Sequence, residues 1–65
     1  IEHERRRLHA EMERLSGLLR AVDGKLANEQ FVTRAPESVV AREREKAQAL
    51  RDQLERLSAK LAALS

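Results

Sequence analysis

Apolar residues recur along the chain every three or four positions, in two separate runs. The first run contains Ile1, Leu8, Met12, Leu15, Leu19, Val22 and Leu26, and the second contains Val40, Ala47, Leu50, Leu54, Leu57, Leu61 and Leu64. This spacing is the a/d pattern of a coiled-coil seam, whereas a strand would alternate with a period of two. Each run has one charged interruption, Arg5 in the first and Glu43 in the second. The pattern therefore predicts two amphipathic helices.

The stretch between the two runs interrupts the helical rhythm and contains the only Phe and the only Pro of the chain. Asn28 leaves the helical conformation easily, so it is a plausible end for the first helix. Pro36 suits the first turn of a new helix, and it pushes Ala35 toward extended geometry. The sequence therefore predicts a first helix over about residues 1–28, a tip loop over about 29–35 and a second helix over about 36–64.

A short loop between two helices makes them antiparallel neighbours. The residues that flank the seam are mainly acidic on the first helix and mainly basic on the second, with Lys25 and Glu37 as exceptions. This arrangement favours pairing within one chain over pairing between copies. The fold class predicted is all-α, an antiparallel two-helix coiled-coil hairpin, and we expect it to be monomeric.

Two registers of the hairpin satisfy the seam. One pairs Met12 with Leu50, and the other pairs Met12 with Leu57. The first register sets Asp23 against Glu37. The second sets Lys25 against Lys46 but pairs Asp23 with Arg44 and Glu11 with Lys60, so the flanking charges lean to the second register and leave both open. In both registers we expect an apolar cap over the tip, formed by Phe31, Val32, Val39 and Val40.

Composition limits the chain to one small domain. It has 65 residues, of which 37% are charged and 2% are aromatic, so it cannot build a thick core. It has no Cys, which excludes disulfides and thiolate metal sites and fits a cytoplasmic location. No apolar run approaches the roughly 20 residues that span a bilayer. Because the chain starts at Ile1 and both ends fall within helical pattern, we expect a piece of a longer protein.

The sequence offers no catalytic constellation. It lacks a set of nucleophile, base and orienting group, a Gly-rich phosphate loop and a cluster of metal ligands. His3 and His9 are six residues apart, which puts them on different faces of a helix, and we interpret both as solvated surface residues. We therefore predict no catalytic residue, no metal and no cofactor in this chain.

Basic residues at outward positions of the helices are the candidate binding residues. They include Arg6, Arg7, Arg14, Arg20, Lys25, Arg34, Arg42 and Arg56. One interpretation is an ordinary solvated coiled-coil surface with charge pairs at helical spacing. The other is a stripe that contacts phosphates, for which Arg is the better residue. With Phe31 as the only aromatic residue, a stacking platform for single strands is disfavoured, and folded RNA read by its backbone fits better.

Gly17 and Gly24 lie seven residues apart at outward positions of the first helix. Each costs a helix up to about 1 kcal/mol relative to Ala. Either the helix simply tolerates these glycines as neutral sequence changes, which is the interpretation we favour, or they form a smooth face that another surface approaches closely.

Residues 25–46, KLANEQFVTRAPESVVAREREK, carry a family resemblance. The run resembles the C-terminal coiled-coil arm of valyl-tRNA synthetases, which typically have KLxNExFVxxAPxxVVxxERxK between two charged helices. The resemblance implies an arm that follows the anticodon-binding domain and packs against the outer corner of tRNA-Val, where the D and T loops meet. It also implies an ATP-dependent parent ligase whose ATP and active sites lie elsewhere in the protein.

The resemblance assigns structural roles to the tip residues Phe31, Val32, Pro36, Val39 and Val40. For RNA contact we predict Arg14, Arg20, Lys25, Arg34, Arg42 and Lys46. The expected partners are tRNA-Val and the remaining domains of the parent enzyme, with no membrane partner. The alternative hypothesis is a protein–protein interaction hairpin, either self-associating or resembling an arm of an ABC-type translation factor.

Overall fold

A computed structural model of the chain describes residues 1–64, which form a rod of 47 × 14 × 12 Å. Three helices follow one another: α1 (Glu2–Ala27), α2 (Glu29–Arg34) and α3 (Glu37–Leu64). The two long helices, α1 and α3, pack against each other, and the short α2 forms the tip. The prediction of an all-α helical hairpin is confirmed.

The core is a single narrow seam. Its most buried apolar residues are Leu8, Leu15, Val22, Val40 and Ala47, all of them seam positions of the sequence pattern. The other seam leucines of both helices are only partly buried, because two helices can cover a stripe from one side only. The stability of the hairpin therefore depends on a few side chains.

Contacts at both ends of the rod define the register. At the base, the Arg5 guanidinium donates a hydrogen bond of 3.2 Å to the Leu64 carbonyl oxygen. Near the tip, Lys25 Nζ lies 3.5 Å from Glu43 Oε1. Both contacts fit the register that the charges favoured, in which Met12 is paired with Leu57. In the other register, Arg5 would lie two helical turns from Leu64.

Both ion pairs expected between the helices are replaced: Glu11 pairs with Arg14 of its own helix, and Asp23 takes a different partner on α3. Asp23 pairs with Arg51 at 2.8 Å rather than with Arg44. The reason is that helical side chains lean toward the N-terminus of their own helix. In an antiparallel pair, Asp23 therefore leans away from the tip and Arg51 leans toward it, so the two meet one heptad from the expected position.

The tip differs from the predicted loop over residues 29–35. Residues Glu29–Arg34 form α2, one and a half turns of helix. Asn28 is extended at φ −83° and ψ 111° and ends α1, as predicted, but its side chain also caps α2 by accepting a hydrogen bond of 3.0 Å from the Gln30 backbone N–H. This cap compensates for the low helix propensity of Phe, Val and Thr in this segment.

The start of α3 follows the expected proline chemistry. Ala35 is extended at φ −72° and ψ 148°, and the Pro36 carbonyl accepts from the Val40 backbone N–H at 3.1 Å. The expected apolar cap is smaller than predicted. Val40 is buried and Phe31 and Val32 are half-buried, whereas Val39 is 41% exposed and Pro36 is exposed. Val39 thus points away from the cap, because α3 turns it outward from its buried neighbour Val40.

None of the helices within residues 1–64 is both long and apolar enough to cross a lipid bilayer.

Two leucines of α1 test the seam. Leu15 is 5% exposed and Leu18 is 47% exposed. We expect Leu15→Ala to lower the free energy of unfolding by about 2–5 kcal/mol, because it removes buried methyl groups and leaves a cavity. The matched variant Leu18→Ala should change it by less than about 1 kcal/mol. Thermal unfolding followed by circular dichroism measures both, and equal losses would contradict the assigned seam.

The two glycines of α1 test whether its outer face is closely approached. Neither has a positive φ, and a Cβ added at Gly17 or Gly24 meets nothing within 4 Å. We expect each Gly→Ala change to stabilise the chain by about 0.5–1 kcal/mol, raising the melting temperature. A fall in melting temperature would show that a methyl group is not accommodated there.

Candidate nucleic-acid interface

The two edges of the hairpin differ in charge, and one of them gathers basic residues from both long helices. A groove on this edge is lined by Glu11, Arg14, Leu15, Gln53, Arg56, Leu57 and Lys60. Toward the tip, a second groove on the same edge is lined by Leu18, Ala21, Val22, Lys25, Lys46 and Leu50. Arg42 lies one turn before Lys46, and Arg7 lies one heptad before Arg14, so both project from the same edge. We call this set the basic face: Arg7, Arg14, Lys25, Arg42, Lys46, Arg56 and Lys60.

The acidic residues on the basic face are already engaged. Glu4 forms an ion pair with Arg7, and Glu11 forms one with Arg14. The Arg7 guanidinium, with a smaller contribution from Lys60 across the groove, lowers the pKa of the Glu4 carboxyl. The Glu11 carboxylate raises the pKa of the Arg14 guanidinium. A guanidinium has five N–H donors, so Arg14 retains donors for a ligand while it holds Glu11.

In the described part of the chain, three bases of the basic face have no ion-pair partner. Arg42, Arg56 and Lys60 are exposed, and within residues 1–64 none of them forms an ion pair. Because no adjacent acid compensates their charge, all three add to the positive potential of this edge.

The remaining two bases at the tip end share one carboxylate. Glu43 is 9% exposed and takes the seam position opposite the end of α1. Lys25 of α1 lies 3.5 Å from its Oε1, and Lys46 of α3 lies 3.8 Å from its Oε2. Within the described residues, Glu43 Oε1 is buried without a hydrogen bond of good geometry. The two ammonium groups therefore compensate this carboxylate by charge.

The opposite edge carries mixed charge. It holds the Asp23–Arg51 pair and the Glu2–Arg6 pair, the latter at 3.9 Å. A groove on this side is lined by His9, Met12, Glu13, Ser16, Gly17 and Arg20. We call this set the mixed face: Glu2, Arg6, His9, Glu13, Arg20, Asp23, Glu37, Arg44, Arg51 and Glu55. Since acids and bases alternate here, this face offers phosphates no continuous attraction.

The side chains that could ligate a metal are dispersed along the described part of the chain. No group of three His, Cys, Asp or Glu residues within residues 1–64 could hold a metal ion. His3 and His9 are both exposed.

Comparison with known proteins gives the family. A model of the valyl-tRNA synthetase tRNA-binding arm matches residues 1–65. The chain belongs to this family. Among curated proteins, the arm is 42% identical to a valine–tRNA ligase of Christiangramia forsetii and 38% identical to one of Chlorobaculum tepidum, in both cases over 100% of the chain and 7% of the relative. It is 41% identical to a valine–tRNA ligase of Clostridium perfringens, over 97% of the chain and 7% of the relative.

The arm thus spans only a small part of the ligases it matches. No solved structure matches it significantly. The resemblance noted in the tip run is confirmed over the whole chain, while the predicted RNA-contacting residues remain predictions.

The structure brings together four of the residues predicted to contact RNA and separates two. Arg14, Lys25, Arg42 and Lys46 lie on the basic face of the arm. Arg20 lies on the mixed face beside Glu13. Arg34 lies at the end of α2, exposed at the tip.

Three members of the basic face are not among the residues predicted to contact RNA: Arg7, Arg56 and Lys60. The sequence analysis recognised Arg7 and Arg56 as outward bases, but it considered each helix separately and did not combine the charges of the two helices along a shared edge. In an antiparallel pair, the g positions of both helices share one edge and the e positions share the other. Summing the charges of both helices along each edge identifies Arg7, Arg56 and Lys60 as members of one basic edge.

The pairing of Glu4 with Arg7 predicts a pH dependence. Because the guanidinium stabilises the charged carboxylate, the contribution of this pair is fully present above the ordinary pKa of Glu and is lost as pH falls through the lowered pKa of Glu4. We expect Arg7→Gln to raise the pKa of Glu4, as measured from carboxyl carbon chemical shifts in an NMR titration. Arg6→Gln, which removes a partner of Glu2 instead, is the matched control. An unchanged pKa in Arg7→Gln would contradict the pairing.

Proposed function

We propose that the chain is the C-terminal arm of a valine–tRNA ligase and binds tRNA-Val through its basic face. The observation that carries the proposal is the sorting of charge. Bases from both helices gather on one edge, and the acids on that edge are held by Arg7, Arg14 or the Lys25–Lys46 pair. The formal net charge of +2 alone would not support RNA binding.

The shape and chemistry of the basic face fit an RNA backbone. The rod is 47 Å long, and bases lie along it from Arg7 and Lys60 near its base to Lys25, Arg42 and Lys46 near its tip. Such a row can contact several successive phosphates of a folded RNA. With no exposed aromatic side chain on this edge, we expect contacts to phosphate and sugar rather than stacked bases.

The proposed contacts keep Arg14, Lys25, Arg42 and Lys46 and add Arg56 and Lys60. Arg34 is kept as a contact of the tip. Arg20 is not kept, because it lies beside Glu13 on the mixed face. The outer corner of tRNA-Val, where the D and T loops meet, is the surface we propose for this face.

In the whole ligase, the arm would add binding energy and orientation, while ATP and the chemistry remain in other domains. We therefore expect loss of the arm to weaken tRNA affinity more than it slows the chemical step at saturating tRNA. We propose the cytoplasm as its location and a monomer as the state of the chain.

Two triple variants test the basic face. One is Arg14→Gln, Arg56→Gln and Lys60→Gln on the basic face, and the other is Arg6→Gln, Arg20→Gln and Arg44→Gln on the mixed face. Both lower the formal net charge of +2 by three. Binding of tRNA-Val is measured by fluorescence anisotropy over a range of salt concentrations, and circular dichroism checks that both variants fold.

We expect the basic-face variant to lose at least about tenfold in affinity, and its slope of log K against log salt to become shallower by about 2–3. The mixed-face variant should retain affinity within about threefold, which is the scale of a long-range charge effect. Equal losses in the two variants would contradict the assigned face. Unchanged affinity in both, or concentration-dependent sedimentation of the wild-type chain, would favour the protein-interaction alternative.

A further inference from the structure

Lys25 and Lys46 form an unusual pair, because they come from different helices and yet lie on either side of one carboxylate. Lys25 Nζ is 3.5 Å from Glu43 Oε1, and Lys46 Nζ is 3.8 Å from Glu43 Oε2. The three side chains sit at the tip end of the basic face, where both lysines line the same groove.

Without Glu43, the two ammonium groups would repel each other across the seam. Like charges at facing positions are destabilising, and a free lysine side chain would relieve the repulsion by turning away. The Glu43 side chain is 12% exposed and is held in the seam, so it cannot follow the lysines outward. It therefore acts as a fixed anchor that keeps both ammonium groups near one point.

Both ammonium groups keep free donors on their outer side. The Lys25 and Lys46 side chains are 58% and 61% exposed. Each ammonium has three N–H donors, and one of them at most is directed at Glu43. Two anchored ammonium groups with outward donors can hold one phosphate group between them, as a charge-assisted clamp.

We propose that Lys25 and Lys46 form a phosphate subsite for a phosphodiester of the bound RNA, and that Glu43 is its positioning residue. The identity of the RNA rests on the proposed function, but the subsite itself needs only phosphate chemistry. Preorganised donors lose less side-chain entropy on binding, so the clamp should exceed two independent lysines.

The chain contains its own control. Lys60 lies on the basic face, like the other two lysines, but within residues 1–64 it forms no ion pair with a buried acid; it influences the pKa of Glu4, which is held by Arg7. Lys60 is thus a lysine of the same edge without a buried anchor. Any property that comes from the general potential of this edge should appear in Lys60, and any that comes from Glu43 should not.

The first measurement needs no RNA. NMR relaxation of the lysine Nζ groups in the free chain should show Lys25 and Lys46 more ordered than Lys60. In the isosteric variant Glu43→Gln, the order of Lys25 and Lys46 should fall to that of Lys60. Equal order of all three groups in the wild-type chain would overturn the anchoring by Glu43, whether or not the variant folds.

The second measurement adds inorganic diphosphate to the wild-type chain. We expect the Nζ shifts of Lys25 and Lys46 to move together and to saturate before that of Lys60. Equal and unsaturated shifts of all three lysines would overturn the subsite. If the chain binds diphosphate in this way but does not bind tRNA-Val, the proposed function fails and the subsite stands.

The third measurement is a double-mutant cycle on tRNA-Val affinity with Lys25→Met and Lys46→Met. If the lysines hold one phosphate together, each single change should weaken binding about fivefold, and the double variant should lose little more. In the Glu43→Gln background, the two losses should become additive. Additive losses in the wild-type background, with normal tRNA binding, would overturn the subsite and leave the proposed function intact.

Discussion

The register of the leucine seam is the constraint on which the other features depend. With five strongly buried apolar residues, the seam has little hydrophobic free energy to select between two pairings that both satisfy it. The contacts of Arg5 with Leu64 at one end and of Lys25 with Glu43 at the other occur together only in the observed register. A polar residue within a seam has this effect in coiled coils generally, because the wrong register leaves it buried without a partner.

The charge asymmetry follows from this pairing. On the basic face, α3 contributes only bases among its charged outward residues, whereas α1 contributes Glu4 and Glu11 together with its bases. When α1 and α3 pair antiparallel, Arg14 and Lys25 of α1 come to lie beside Lys46 and Lys60 of α3, and the row of bases on α3 widens into a face shared by both helices. The acids on the same edge are held in ion pairs by a larger number of bases, while acids and bases alternate along the mixed face. A small net charge is thus compatible with a strongly positive surface on one side.

Most of the fold could be predicted from the sequence, because a heptad pattern states directly which residues are buried. The end of α1 at Asn28 and the extended Ala35 before Pro36 were also readable, since each depends on local backbone chemistry. The helix α2 was not predicted. Three of its residues, Phe31, Val32 and Thr33, have weak intrinsic helix propensity. The Asn28 cap that compensates for them acts through one hydrogen bond, which a pattern of apolar residues does not show.

The candidate site was predictable only in part. Arg14, Lys25, Arg42 and Lys46 were found as outward bases, but Arg20 was grouped with them although it projects from the other edge. The partner of Asp23, Arg51, was missed for a related reason. Helical side chains lean toward the N-terminus of their own helix, so the partner in an antiparallel pair lies one heptad from the residue that the numbering suggests. The sequence analysis lacked the knowledge of which residues of the two helices lie on the same edge of the hairpin, and the properties of single residues do not supply it.

The thinness of the rod has an evolutionary consequence. In a structure only 14 × 12 Å across, most outward side chains do not touch the seam, so substitutions at separated outward positions should act additively on both stability and binding. Such a surface can change its ligand preference one residue at a time without risk to the fold. Glu43 is the exception, because it belongs to the seam and to the surface at once. A substitution there alters packing and recognition together, so this position should change only in concert with its neighbours.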